Sequence, residues 1–506
     1  MALPDIKFGE RWRQDSVGVL VCVSLAASDT AQALALMGRA ARLGADLAEV
    51  RLDLMESFDL ETLVRQRPLP LLVTCRPLRS GGGYVGLEAE RTEVLRLALE
   101  LGAEYVDAEP EDVPLLRECG SGKVIASWHD YQGTPFSLEQ RYAALAHTGA
   151  DVVKVAVTAR TIEDNLEVLR LLERAEKPCI ALAMGEAGVI SRLLAGRYGA
   201  LLTFASLGGH DPVAPGQVDL REMLEWYRVK DIGPDTALYG VIANPVGHSM
   251  SPAVHNAAFR ELGLNAVYLP LLVEDPVRFI RAFTPLGFRG YSVTIPHKQV
   301  VIPVLDQVEP LARRIGAVNT IVIRDGRLHG YNTDVEGALQ SIEEVLPAGQ
   351  ALSGLRALVV GAGGLGRGLA YALADRGVKL TIANRSEEKG RLLAAELGAA
   401  FCPLGGMAGV EVDLLLQTTS VGMRPAEKES VVPADMLRPG MVVYDAVYNP
   451  LETRLLREAR RAGCTIVSGL GHFINQAARQ FELWTGLPAP REVMRAVMLE
   501  RLGGKG

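Results

Sequence analysis

Between Val17 and about Phe204, short apolar runs recur at fairly even spacing, each followed by a helix-like amphipathic stretch. The runs are VGVLVCVS, LAEVRLD, LPLLVTC, AEYVDAE, KVIASWH, DVVKVAV, PCIALAM and ALLTFA. Runs that are apolar on both faces and alternate with helices belong to parallel strands covered on each side. Eight such units in the length of one barrel domain predict a closed (β/α)8 barrel, with an open doubly wound sheet as the alternative. The amphipathic segment from Asp219 to Tyr227 reads as the last barrel helix. It is followed by VKDIGPDTA, Val229 to Ala237, whose charges and Gly-Pro lack periodicity and mark a linker.

Beyond the linker, Tyr239 to about Gln340 again alternates strand and helix signals, and Leu355 to Gly377 opens another α/β unit. A final helical region runs from about Phe473 to Leu502. At 506 residues the chain needs several cores, and with 48% hydrophobic and 22% charged residues it has the composition of a folded α/β protein. Sixty acidic and 53 basic residues are well mixed, with no Lys/Arg block, so nucleic acid is not expected as a partner. No apolar run approaches the span of a bilayer, so no membrane is expected either. Met1 to Ser16 carries Asp5, Glu10 and Asp15 and lacks the apolar core of a signal peptide. The six cysteines are scattered without a C-x-x-C pair and read as reduced core residues, which together predicts a cytoplasmic enzyme.

A lysine, Lys154, stands in the middle of DVVKVAV, a run otherwise suited to a fully buried strand. A buried ammonium either becomes a nucleophilic amine or pairs with a carboxylate, and both readings stay open for this residue alone. Glu49 and Arg51 on the second run, Arg76 just after the third, His129 at the end of the fifth and Arg192 beyond the seventh would converge where a barrel's strand ends meet. Singly each has a plain explanation: Arg51 with Asp53 could be an ion pair at the rim, and His129 a hydrogen-bonded structural group. Together they describe a site for a small anion.

E-V-R-L-D at Glu49, T-C-R-P at Thr74, S-W-H-D at Ser127, D-V-V-K-V-A-V at Asp151, S-R at Ser191 and A-P-G-Q at Ala214 resemble the type I 3-dehydroquinate dehydratases, in order over nearly the whole first half. The resemblance implies that Lys154 forms a Schiff base with the substrate ketone, that His129 moves the protons and that Glu49 orients His129. It further implies that Arg192 clamps the substrate carboxylate, that Arg51 and Arg76 bind nearby hydroxyls or charge, and that Gln217 sits on a closing loop. The chain departs from the family at Ser80, where a glutamate is usual, and at Val213, where a serine is usual.

In the second half, G-A-G-G-L-G (Gly361, Ala362, Gly363, Gly364, Leu365, Gly366) follows the strand-like ALVV and opens a helix, the context in which such a motif signals a dinucleotide. The next apolar run, KLTIA, ends in Asn384, Arg385 and Ser386. An arginine there with small polar neighbours suits the 2'-phosphate of NADP, where an acidic residue would suit NAD. Upstream, Ser249, Ser251, Thr294, Asn319 and Asp334 supply neutral donors and acceptors for a polyhydroxylated ligand. Lys298 and Asp334 could be an acid/base pair or an exposed ion pair.

N-P-V-G-H-S-M-S-P at Asn244, S-V-T-I-P-H-K at Ser292, A-V-N-T at Ala317, G-Y-N-T-D at Gly330, T-T-S-V-G-M at Thr418, Y-D-A-V-Y-N-P at Tyr444 and F-E-L-W-T-G at Phe481 closely resemble the shikimate dehydrogenases. That resemblance implies that Ser249 and Ser251 hold the substrate carboxylate, that Thr294, Asn319 and Gln476 hold hydroxyls, and that Lys298 and Asp334 protonate the ketone. Thr418, Ser420 and Met423 would line the nicotinamide, with Gly469 also among the cofactor-binding residues. One departure stands out: His472 and Phe473 replace the usual Met-Leu.

The histidines have no metal-ligand spacing, and no metal is expected. The implied fold class is an N-terminal (β/α)8 TIM barrel followed by a two-domain α/β dehydrogenase with a Rossmann-type NADP domain. The expected limits are an N-terminal extension 1–16, the barrel 17–228, the linker 229–237, a substrate domain 238–345 to which helices of 470–506 return, and the NADP domain 346–469. The product of the first reaction is the substrate of the second. The alternative is a quinate/shikimate dehydrogenase carrying a non-catalytic or differently specific barrel.

Overall fold

The computed structural model describes residues 18–135, 137–208 and 213–503. The expected N-terminal extension, 1–16, lies outside the described residues. The chain divides into two compact units. One is built on the residues up to Leu238 with Asn244–Gly247 and Asn265–Ala282, the other on Tyr239–Ala243, His248–Leu264 and the residues from Phe283 on.

The eight apolar runs are eight strands: β1 (Leu20–Leu25), β2 (Leu47–Arg51), β3 (Leu71–Thr74), β4 (Tyr105–Ala108), β5 (Lys123–His129), β6 (Val152–Thr158), β7 (Cys179–Met184) and β8 (Leu202–Ser206). A short β9 (Val218–Asp219) follows, and the sheet runs in the order β7-β6-β5-β4-β3-β2-β1-β8-β9 with parallel pairing. The Leu201 amide donates to the Cys179 carbonyl at 2.9 Å, bringing the two ends of the sheet together as a barrel. The segment expected to be an ordinary last helix differs. Asp219 belongs to β9, and Glu222–Trp226 widens into a π-helical turn in which the Tyr227 amide donates to the Glu222 carbonyl, burying Met223 and Tyr227.

Side chains alternate across a strand, so each barrel strand sends every second residue inward. The inward residues near the strand starts form an apolar floor that includes Leu20, Cys22, Leu47, Leu72, Ile125, Val152 and Ile180. One or two inward positions further on, at the strands' C-terminal ends, the residues become polar. That is the face on which barrels of this kind carry their sites.

A mixed sheet follows, made of β10 (Ala237–Ala243), β11 (Ala266–Leu272), β12 (Phe288–Val293), β13 (Gln307–Val308), β14 (Thr320–Arg324) and β15 (Arg327–Tyr331) in the order β11-β10-β12-β14-β15-β13. The third sheet contains β16 (Arg356–Val360), β17 (Lys379–Ala383), β18 (Ala400–Cys402), β19 (Leu414–Gln417), β20 (Val442–Asp445) and β21 (Thr465–Val467). Its order, β18-β17-β16-β19-β20-β21, all parallel, is that of a dinucleotide-binding sheet, with its crevice beside β16 where the order reverses. Among the described residues no helix is long and apolar enough to cross a membrane.

The C-terminal helices, Gly469–Thr485 and Arg491–Gly503, are the helical tail read from the sequence. The first packs against helix Thr333–Glu343 so closely that a Cβ on Gly337 would lie 2.5 Å from the Gln476 amide nitrogen. Gly337→Ala must therefore separate two helices, and overpacking of this kind costs about 1–3 kcal/mol, more than the ~1 kcal/mol gained in helix propensity. The variant is expected to unfold the second unit at lower urea concentration while the barrel unit keeps its wild-type midpoint, as fluorescence and circular dichroism would read.

Candidate active sites

The polar layer of the barrel is built from neighbouring strands in register: Ser24 beside Glu49, Thr74 beside Asp107, and Ser127 beside Lys154. Lys154 is 4% exposed, and its Nζ lies 2.6 Å from Asp107 Oδ2, 3.8 Å from Glu49 Oε1 and 4.6 Å from the centre of the Phe204 ring. Asp107 also accepts hydrogen bonds on Oδ1 from Arg76 Nη2 at 2.9 Å and from Ser127 Oγ at 2.6 Å. Burial alone would raise the Asp107 carboxyl, but Arg76 and Lys154 outweigh it and hold it far below the usual carboxylate range.

His129, at the end of β5, is hydrogen-bonded through Nε2 to Arg76 Nη1 and stacks on Tyr131. Burial, then the cations Arg76 and Lys154, push its pKa well below 6.5, so the ring is neutral at neutral pH and able to accept a proton. Glu49 is expected to orient His129, and among the described residues no hydrogen bond joins the two. The Glu49 carboxylate is held by Ser24 Oγ at 2.6 Å and Thr74 Oγ1 at 2.9 Å and faces Lys154, because the inward face of β2 points at the barrel axis, whereas His129 sits at the rim of β5. Arg76, expected as a substrate ligand, joins Asp107 to His129 and also faces the cavity.

Ser24, Glu49, Arg76, His129 and Lys154 line one cavity of about 190 Å³ that also receives Arg51, Arg192, Val213 and Gln217. Arg51 is committed to Asp53 in a two-bond ion pair of 2.9 and 2.6 Å, with the Asp53 side chain buried. Arg192 differs: it is 1% exposed, its side chain hydrogen-bonds to nothing among the described residues, and burial lowers it to about 10. A guanidinium without an anion inside a cavity is a ready ligand for a carboxylate. Gln217 donates Nε2 to Ser24 Oγ at 3.2 Å, and its buried Oε1 has no hydrogen-bond partner among the described residues. Ser80 donates to Glu109 Oε2 at 2.8 Å, and Val213 is part of the cavity wall. Asp107 was missed from the sequence, yet its signal was there, an acid inside the buried strand Tyr105–Ala108 that mirrors Lys154.

In the second half Lys298 Nζ meets Asp334 Oδ2 at 2.6 Å, with side chains 30% and 20% exposed. Asp334 occupies the first turn of helix Thr333–Glu343, whose N-terminus favours a negative charge. Burial would raise its carboxyl, but Lys298, then His472, pull it below the ordinary value. Asn319 is buried and engaged with Thr320 Oγ1 at 2.8 Å and with Thr333, Oδ1 accepting its amide at 2.8 Å and Nδ2 donating to its hydroxyl at 3.0 Å. It braces the start of Asp334's helix. The Thr294 amide donates to the Ile242 carbonyl at 3.1 Å, setting the ends of β10 and β12 side by side. Ser249 accepts the Ser251 amide at 3.3 Å at the start of helix Ser251–Glu261, and Gln476 donates to the Phe473 carbonyl at 3.1 Å. None of Ser249, Ser251, Thr294 or Gln476 hydrogen-bonds to the Lys298–Asp334 pair.

A dinucleotide's backbone fits the third sheet. Gly361 has φ +112°, and a Cβ on Gly366 would lie 2.1 Å from the Gly361 carbonyl oxygen, so strand and helix approach as only glycines permit. Nothing lies within 4 Å of where a Cβ on Gly363 or Gly364 would stand, which leaves the N-terminus of helix Gly364–Asp375 open in front. Asn384 Oδ1 accepts the Ala362 amide at 3.0 Å and its Nδ2 donates to the Ser386 carbonyl at 2.8 Å. Arg385 is exposed and its side chain has no hydrogen bond or ion pair among the described residues, so its cation is available to a phosphate. Thr418 Oγ1 donates to the Val360 carbonyl at 2.9 Å. Ser420 and Met423 lie on the exposed loop beyond, and Leu365 is half-buried in the helix. Gly469 packs on the Val447 backbone, where a Cβ would lie 2.5 Å from carbonyl carbon and oxygen alike.

Residues 21–234 match the type I 3-dehydroquinase family. Residues 241–321 match the shikimate dehydrogenase substrate binding domain, 343–443 the shikimate / quinate 5-dehydrogenase family, and 469–499 the shikimate 5'-dehydrogenase C-terminal domain. The bifunctional 3-dehydroquinate dehydratase/shikimate dehydrogenase of Arabidopsis thaliana, named chloroplastic, is 42% identical over 95% of this chain and 84% of its own. The NADP(+) shikimate dehydrogenase of Moorella thermoacetica is 48% identical over 53% of this chain and 94% of its own. A crystal structure of a shikimate dehydrogenase in complex with NADP+ superposes with a TM-score of 0.50 at 39% identity, covering 54% of this chain and 97% of that one. With both halves matched along nearly the full length of this chain, the chain belongs to the bifunctional 3-dehydroquinate dehydratase/shikimate dehydrogenases.

Proposed function

We propose that the barrel dehydrates 3-dehydroquinate to 3-dehydroshikimate and that the second half reduces that product with NADPH to shikimate. The observation that carries the reading is a single cavity holding a buried lysine, a neutral histidine and an arginine without an anion. Arg192 takes the substrate carboxylate and fixes the ring so that the ketone meets Lys154. The amine adds to the ketone and expels water, giving an iminium that draws electrons from the adjacent carbon. His129 removes a proton from that carbon, and the resulting enamine expels the hydroxyl, which takes a proton back from His129. Water then releases the product from Lys154, so the net change is loss of one water. Asp107 faces a positive nitrogen both as ammonium and as iminium, and it also holds Arg76 against His129.

In the second unit Lys298 and Asp334 supply the proton for the ketone oxygen, and Ser249, Ser251, Thr294, Asn319 and Gln476 hold the remaining polar groups of the ring. Bound NADPH supplies the hydride. The glycine turn from Gly361 to Gly366 and the helix behind it hold the pyrophosphate, Asn384, Arg385 and Ser386 the 2'-phosphate side, and Thr418, Ser420, Met423 and Gly469 the nicotinamide side. We place the barrel at 17–228, a linker at 229–237, the substrate domain at 238–345 with 470–506 returning, and the NADP domain at 346–469. Family matches that stop at 234 and resume at 241 support this division. We place the enzyme in the cytoplasm, which suits its six free thiols.

Lys154→Ala should abolish dehydration and leave reduction of 3-dehydroshikimate at the wild-type rate, because the sites use separate cores. Borohydride with 3-dehydroquinate should label the Lys154 peptide, and a label elsewhere would remove its role. Because burial and two cations depress His129, its base form survives as pH falls through 6.5. The cation on the lysine nitrogen persists in the iminium, so the acid limb of kcat for dehydration should lie below 6.5, and a limb at or above that value contradicts the assignment. Arg385→Ala should weaken NADPH but not NADH by about 1.5–3 kcal/mol, the usual worth of a charge-assisted hydrogen bond, as Kd values would measure.

A further inference from the structure

His472 has no part in the reactions as derived so far, yet its surroundings are unusual. It lies in the first turn of helix Gly469–Thr485 and is 9% exposed. Its Nδ1 is 2.8 Å from the hydroxyl of Tyr444, a fully buried residue of β20, and the two rings are tilted at 50° with centroids 5.9 Å apart. Nε2 is buried and has no hydrogen bond among the described residues, although the ring faces the backbone carbonyl of Asp334. A neutral imidazole has one donor and one acceptor nitrogen. Burial raises Tyr444 and lowers His472, so the phenol keeps its proton and donates it to Nδ1. Nε2 then carries the ring's hydrogen on the side of Asp334. Gln476, one helical turn along, lies on the same face.

We propose that His472, anchored by Tyr444, is a positioning residue of the dehydrogenase that supports the Asp334 carboxylate in its pairing with Lys298. The proposal rests on the acid/base reading of Lys298 and Asp334 given above. The titratable groups acting on the ring from the elements around it are Asp334 on helix Thr333–Glu343, Lys298 in the segment after β12, and Tyr444 on β20, with Asp445 acting in turn on Tyr444. His472 in its turn lowers Asp334, after Lys298. An imidazole whose Nε2–H is aimed at the Asp334 carbonyl fixes the helix turn that carries the carboxylate and keeps it beside Lys298, which holds the acid ionised to lower pH. The fixed Tyr444 hydroxyl stops the ring from swinging away. Losing either group frees Asp334 to take up a proton sooner as the pH falls.

The test uses the full chain and follows NADPH-dependent reduction of 3-dehydroshikimate across pH, with the barrel's dehydratase rate as an internal measure of folding. In His472→Met and Tyr444→Phe the acid limb of kcat should move to higher pH, with kcat at neutral pH falling about three- to tenfold and KM nearly unchanged. The double variant should be no worse than His472→Met, because the hydroxyl acts only through the ring. Should His472→Met fold poorly, Tyr444→Phe, which changes one atom, carries the test. An acid limb at its wild-type position in the folded variants, or additive losses in the double, overturns the proposal. Lys298→Ala separates the two levels. If it is inactive while the His472 and Tyr444 variants keep the wild-type profile, this inference alone falls. If it reduces substrate at the wild-type rate, the acid/base reading falls and this one with it.

Discussion

Lys154 and Arg76 lie side by side in the barrel interior because Asp107 sits between them. Lys154 and Arg76 are each about 5% exposed and each bonded to this carboxylate, one per oxygen, with Ser127 on the oxygen shared with Arg76. Removing one partner of such a buried pair leaves an uncompensated charge and typically costs about 3–5 kcal/mol. His129 depends on the same group at one remove, since Arg76 reaches it only while Asp107 holds the other end of the guanidinium. Glu49, kept in place by Ser24 and Thr74, adds a second negative charge beside the lysine. The Arg192 side chain has no hydrogen bond or ion pair among the described residues, and only the charge of Glu49 acts on it.

This charge balance is possible because the floor beneath it is apolar. Cys22, Leu47, Leu72, Ile125, Val152 and Ile180 close the barrel below the polar layer and keep water from entering that way. In the low local dielectric the ion pairs hold their geometry, and a neutral histidine is the stable form. The same strands therefore provide both stability and chemistry, divided by depth along the barrel.

The dehydrogenase unit rests on a different constraint, close backbone approach. Gly361 and Gly366 let strand and helix meet so that helix Gly364–Asp375 presents its amides outward, and Gly337 lets the C-terminal helix press against the helix that carries Asp334. Its charged pair is more open than that of the barrel.

Much of this was readable in the chain. Runs apolar on both faces identify parallel strands, because only a strand covered on each side can be continuously apolar, and the placement of Lys154, His129 and the glycine turn within such runs followed from local periodicity alone. The sequence by itself thus determined the strands, their order along the chain and the kinds of chemistry available. It could not say which buried acid meets which buried base. Asp107 and Lys154 are 47 residues apart and become partners through strand register, Glu49 turns to the lysine instead of the histidine, and His472 finds Tyr444 from another element. Pairing across strands and helices depends on register and crossing geometry, which only the packed tertiary structure decides, because no local pattern encodes a distance between residues far apart in the chain.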